Sequence, residues 1–165
     1  MSTGELIMRT TIWVALVGYV IGESGRLAWR KGQASHWRGY RWVSTVACAF
    51  YILHVAFAFD EIHQWSHAEA YRFTAAQTKA MFGLNWGGGL FVNYLFAAVW
   101  LTELAAWWLR PSQYQQRRRW LDASVRVFFA FIILNGAVVF VSGPTRWIGV
   151  GLILLLSVGF YRFRP

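Results

Sequence analysis

Five apolar stretches separated by short basic segments constrain this chain more than any other feature. They run from Thr11 to Ala28, Trp42 to Ile62, Gly88 to Leu109, Leu121 to Val141, and Trp147 to Tyr161. Inside a bilayer no water is available to backbone N–H and C=O groups, so a spanning segment must satisfy them internally as a helix or within a closed barrel. Apolar runs of this length read as helices. The last stretch is the short one, rising roughly 22 Å at helical pitch, against a hydrocarbon core of about 30 Å. It must borrow flanking residues or thin the bilayer locally. The expected fold is an all-α integral membrane protein: a bundle of about five transmembrane helices forming one membrane domain over residues 1–165, with a short interfacial helix on the outer side.

Composition agrees. The 165 residues are 57% hydrophobic and 19% aromatic, with only 14% charged. A net charge of +9 in a soluble domain would suggest nucleic acid. Here the arginines cluster between apolar segments, where they set orientation, and nucleic acid is excluded as a partner. Arg26, Arg30, Lys31, Arg38 and Arg41 follow the first stretch, Arg110, Arg117, Arg118 and Arg119 follow the third, and Arg162 and Arg164 follow the fifth. The other side holds Arg9, Arg72, Lys79 and Arg146. This asymmetry puts the N-terminus outside and the C-terminus in the cytoplasm of a bacterial inner membrane. With four crossings, Arg162 and Arg164 would fall on the wrong side. Tryptophan, which prefers the interface, divides the same way: Trp13, Trp65, Trp86 and Trp147 mark the outer boundary, and Trp29, Trp37, Trp42, Trp107, Trp108 and Trp120 the inner one. With Glu5 and Arg9 at its start and no small-residue cleavage site, the first stretch reads as a retained anchor.

Polar residues inside the stretches mark faces that meet protein rather than lipid. On the third, helical spacing aligns Asn93, Phe96, Trp100, Glu103 and Trp107. On the second it aligns Ser44, Ala47, Tyr51, His54, Ala58 and Glu61, and on the fourth Ser124, Phe128, Phe131, Asn135, Val138 and Ser142. The first carries a small-residue face, Thr11, Ala15, Gly18, Gly22 and Gly25, suited to close helix packing within the chain or across a dimer. From these positions we expect an outer neutral layer of His54, Asn93 and Asn135. An inner charged layer holds Glu103, Glu23 and Arg126, with Arg126 paired to Glu103 or Glu23. The lone Cys48 forms no intrachain disulfide and reads as a small buried apolar residue.

Residues Asp60 to Tyr71, DEIHQWSHAEAY, are the most distinctive local sequence. In an unbroken helix Asp60, His63 and His67 would share a face, with Glu61 adjacent, a donor set that suits a transition metal. Against this, Ser66 to Glu69 reads as a capping box, ending the second crossing near Trp65 and starting a new helix at His67. That helix, about 67–82, would lie in the outer interface on a face of Tyr71, Ala75, Thr78 and Phe82, with Gly83 as its stop. Gly87, Gly88 and Gly89 permit an unusual turn or a close approach at the start of the third crossing. Bis-histidine haem is disfavoured, because no crossing but the second carries a histidine.

The function expected first is a non-catalytic integral subunit, with lipids and other membrane subunits or further copies of itself as partners. A metal-binding or redox protein using Asp60, Glu61, His63 and His67 is the second reading. A small oligomeric transporter or channel with Glu103, Glu23 and Asn93 along its path is the third.

Overall fold

The computed structural model describes residues 3–32, 36–139, 146–151 and 153–154. Among them the chain is all-α, with helices α1 (Thr3–Arg30), α2 (Trp37–Glu61), α3 (His67–Phe82), α4 (Gly89–Leu109), α5 (Pro111–Gln116) and α6 (Arg119–Leu134). A π-helical turn, Asn135–Val139, continues α6. Four segments are long and apolar enough to cross a membrane: Thr3–Arg30, Trp37–Glu61, Gly89–Leu109 and Arg119–Val139. They contain the first four expected crossings, apart from a residue or two at their ends. Residues 146–151, 153 and 154 are helical. The rest of the expected fifth crossing, with Arg162 and Arg164, lies outside the described residues, as does Ser142.

The closest pairing joins α1 to α2. Here the small-residue face works within the chain. A methyl group on Gly18 would lie 2.8 Å from the Ala47 side chain, one on Gly22 would strike Ser44, one on Gly25 would enter the Tyr40 ring, and one on Gly4 would meet Glu61. These four contacts step down α1 while stepping up α2, so the two helices run antiparallel along a glycine seam. Without a hydrophobic drive between helices in lipid, close backbone packing of this kind is what favours association.

The central core gathers Ala15 from α1, Ala47, Cys48 and Tyr51 from α2, Phe96, Trp100 and Leu104 from α4, and Phe129 from α6. Cys48 is buried there, as expected. The α4 stripe is inward at Phe96, Trp100 and Trp107, but Asn93 at its other end is exposed. On α6 the inward residues are Asp122, Phe129, Ile133 and Ala137, while Ser124 and Phe131 are exposed. The expected α6 stripe is therefore rotated away from the core. The reason is Asp122, which the charged cluster described below pulls inward. At the far end of α6 the Asn135 amide donates to the Phe131 carbonyl at 2.7 Å. That side chain competes with the backbone for one of the helix's own acceptors.

Between α2 and α3 the chain breaks where the capping pattern placed the break. Gln64 and Trp65 take left-handed backbone angles, φ 46° and 58°, costing about 1–2 kcal/mol per non-glycine residue. Hydrogen bonds from Trp65 N to Phe59 O and from Ser66 N to His63 O hold the turn. Ser66 caps α3 by accepting from Glu69 N at 3.3 Å, and Gly83 ends it at φ 73°. The packed face of α3 is Ala70, Ala75 and Thr78, whereas Tyr71 and Phe82 are exposed. Ala75 and Thr78 pack as expected, and Ala70 takes the inward place expected of Tyr71. Small residues win the inward positions because α3 lies close against the start of α4: a methyl group on Gly87 would strike the Tyr71 carbonyl, and one on Gly89 would touch Thr74 at 3.0 Å.

Candidate functional site

One end of the bundle collects the C-terminal parts of α1 and α4, the N-terminal parts of α2 and α6, and all of α5. Most of the described basic residues lie there. Its chemistry centres on Asp122, in the first turn of α6, where the helix dipole favours a negative charge. The Asp122 side chain is 2% exposed. Arg26 Nη1 donates to Asp122 Oδ1 at 2.7 Å, and Arg117 donates to the same oxygen from Nε at 2.9 Å and Nη2 at 2.6 Å. Arg30 Nη1 lies 2.6 Å from Oδ1 as an ion pair, off the line of a hydrogen bond. Arg126 Nη2 donates to Oδ2, and its Nε to the Asp122 carbonyl at 3.2 Å.

Two further carboxylates close the cluster. Glu23 accepts a two-point bond from Arg26, Nε to Oε2 at 2.7 Å and Nη2 to Oε1 at 2.6 Å. Glu103 accepts from Arg117 Nη1 at 2.6 Å and from the Tyr114 hydroxyl at 2.8 Å. Local sequence sets this up. Pro111 opens α5, a position where its fixed φ suits the helix and its missing N–H costs nothing, and α5 delivers Tyr114 to the core. The extended link at Arg117 and Arg118, with ψ of 153° and 135°, then turns Arg117 inward. Burial pushes the Tyr114 phenol far up, opposed by Arg26, so it stays protonated as a donor. Burial works against the charge on Arg117, but its hydrogen bond to Glu103 outweighs that and raises its pKa.

An aromatic column flanks the cluster. Trp37, Trp29, Trp107 and Tyr114 stack in that order with centroid spacings of 5.2, 5.8 and 5.8 Å. Arg117 lies 4.4 Å over the Tyr114 ring, and Arg41 lies 4.8 Å over Trp37 and 3.7 Å over Trp108. Trp29 and Trp107 are packed inside the protein, while Trp42 and Trp120 are well exposed.

Glu23, Glu103 and Arg126, the residues expected in an inner charged layer, all lie in or beside this cluster, with different pairings. Glu23 binds Arg26, Glu103 binds Arg117, and Arg126 binds Asp122. Asp122 and Tyr114 drew no reading from the sequence alone, and Arg26, Arg30 and Arg117 read there as orientation markers. The spacings Glu23-x-x-Arg26 and Asp122-x-x-x-Arg126 carried the signal, since residues three or four apart share a helix face.

The expected neutral layer is not a shared network. His54 Nδ1 bonds the Met8 carbonyl of α1 at 2.9 Å, and Asn135 bonds its own helix. The Asn93 side chain is exposed, and only its carbonyl takes part, accepting from the Tyr51 hydroxyl at 3.4 Å.

At the opposite end of the bundle the four candidate metal ligands meet separate partners. Asp60 accepts from Trp65 Nε1 at 2.9 Å, His67 Nδ1 bonds the Tyr94 hydroxyl at 2.8 Å, and Glu61 lies against Gly4. His63 packs edge-on to Phe59 and Phe73. Burial lowers the His63 pKa, with Glu69 pulling it back up, so its ring favours the neutral form. Among the described residues no three His, Cys, Asp or Glu side chains lie close enough together to hold a metal ion. Compared with known proteins, the chain matches no family model, no curated protein and no solved structure.

Proposed function

We propose that this chain, a membrane protein by its four apolar helices, is a non-catalytic integral subunit of a larger membrane complex or of a homo-oligomer. It sits in a bacterial inner membrane with its N-terminus outside. The observation that carries this reading is the fate of the charges at membrane depth. Glu23, Glu103 and Asp122 are bound by Arg26, Arg30, Arg117 and Arg126. Carboxylates held this way fix helices relative to one another. A proton carrier or a general acid needs a carboxylate open to its proton partner, and each of these three is bonded by at least one guanidinium. Assembly is supported by Asn93, an amide on the exposed side of an apolar helix, where a partner's polar group would relieve its cost.

Extraction in mild detergent followed by native mass spectrometry and elemental analysis tests the reading. The expected result is an assembly, self or mixed, that dissociates in Asn93→Leu while the monomer stays folded. A wild-type monomer with no partner contradicts it. So does a stoichiometric transition metal lost in the double variant His63→Ala, His67→Ala, which would favour the metal site.

A further inference from the structure

The charge balance of the cluster is uneven. It contains four guanidinium groups and three carboxylates, a surplus of one positive charge. Among the described residues of the chain no other acid redresses this. Its seven Asp and Glu residues leave four beyond the cluster, all occupied elsewhere: Glu5 pairs with Arg9, Glu69 pairs with Arg72, Asp60 binds Trp65, and Glu61 packs on Gly4. A surplus charge in a low-dielectric setting is costly and is relieved by a counter-ion.

A cavity of about 40 Å³ opens beside the cluster, lined by Glu23, Arg26, Ser44, Glu103, Trp107 and Arg126 among others. Trp107 is 2% exposed, and its Nε1 donor has no hydrogen-bond partner among the described residues. A buried donor of this kind calls for an acceptor. The cavity's two carboxylates, Glu23 and Glu103, are turned to Arg26, Arg117 and Tyr114, and neither bonds the indole. One water needs about 10–15 Å³ of such space, so the cavity has room for a monatomic ion with a water. Water alone satisfies the indole and leaves the charge. A halide satisfies both.

We propose that this cavity is a binding site for a small monovalent anion of halide size, which accepts from Trp107 Nε1 and sits in the field of Arg26 and Arg126. The site is independent of the subunit reading, because it rests on charge balance and an unmet donor within one chain.

Chloride-35 NMR line broadening, measured on the protein in a neutral detergent and titrated with bromide, tests the site. The expected result is broadening above that of empty micelles that bromide displaces. Trp107→Phe keeps a ring in the aromatic column but removes the donor, and should weaken chloride binding about tenfold, the loss of one charge-assisted hydrogen bond. Arg126→Gln should abolish it, and if that variant does not fold, Trp107→Phe carries the test alone. No excess broadening overturns the proposal. So does broadening unchanged in Trp107→Phe, which would be diffuse binding to the basic surface. Loss of the bromide-displaceable signal in phosphatidylglycerol nanodiscs, with its retention in phosphatidylcholine, would assign the site to a lipid phosphate and also overturn the halide.

Discussion

Asp122 and Arg117 take their roles from the company they keep, and neither role is visible from the residue alone. Asp122 stands two residues past Trp120 in a basic stretch; the fold makes it the acceptor for guanidinium groups on α1, on α6 and on the link between α5 and α6. Glu103 was legible as a buried acid because it interrupts a strongly apolar run. Its partner was not, because Arg117 reaches it only after α5 has turned the chain. His63 at the other end of the bundle offers a residue-scale test. Its folded pKa lies below the ordinary histidine value through burial, so the neutral ring is favoured in the fold. The stability it contributes is fully present above the unfolded pKa of about 6.5 and is lost as pH falls through the folded value. Hydrogen-exchange protection factors across residues 59–70, with the intrinsic pH dependence divided out, should therefore fall between pH 7.5 and 5, and His63→Phe should remove most of that change. Protection factors in the wild-type protein that ignore pH over this range would show that His63 is not held neutral.

At the scale of elements, backbone-driven features were legible and side-chain-driven orientations were not. The glycine face of α1, the Ser66 cap and the Gly83 stop each follow from what a small or capping residue permits, and each appears where expected. The rotation of α6 was missed because polar residues that mark an inward face in one helix are left outside in another. Ser124 is an example, outbid by Asp122 two residues earlier. The α1–α2 seam yields a prediction. A methyl group on Gly22 would collide with Ser44 Oγ and lie 3.3 Å from Ser44 Cα, so Gly22→Ala should destabilise the fold by about 1–3 kcal/mol. Combining it with Ser44→Gly should restore part of the loss, which makes the pair non-additive. Unfolding midpoints in detergent would measure this. Additive losses would mean that α1 and α2 do not meet at this point.

For the whole molecule, the two ends of the bundle are built differently. One end is held by carbon packing of Phe59, Ala70 and Leu90, with exposed ion pairs such as Arg72–Glu69 contributing less than about 1 kcal/mol. The other is held by a charged cluster and an aromatic column that together tie α1, α2, α4, α5 and α6. A double-mutant cycle on Asp122 and Arg126, read by reversible unfolding in detergent, tests most directly whether that cluster is a structural lock. Asp122→Asn should cost about 3–5 kcal/mol, the penalty for breaking a buried pair and stranding its partners. Arg126→Gln should then cost much less in the Asp122→Asn background than in the wild-type protein, giving a coupling of about 1 kcal/mol or more. An Asp122→Asn variant within about 0.5 kcal/mol of wild type, the range of substitutions away from any such feature, or strictly additive losses in the cycle, would contradict it.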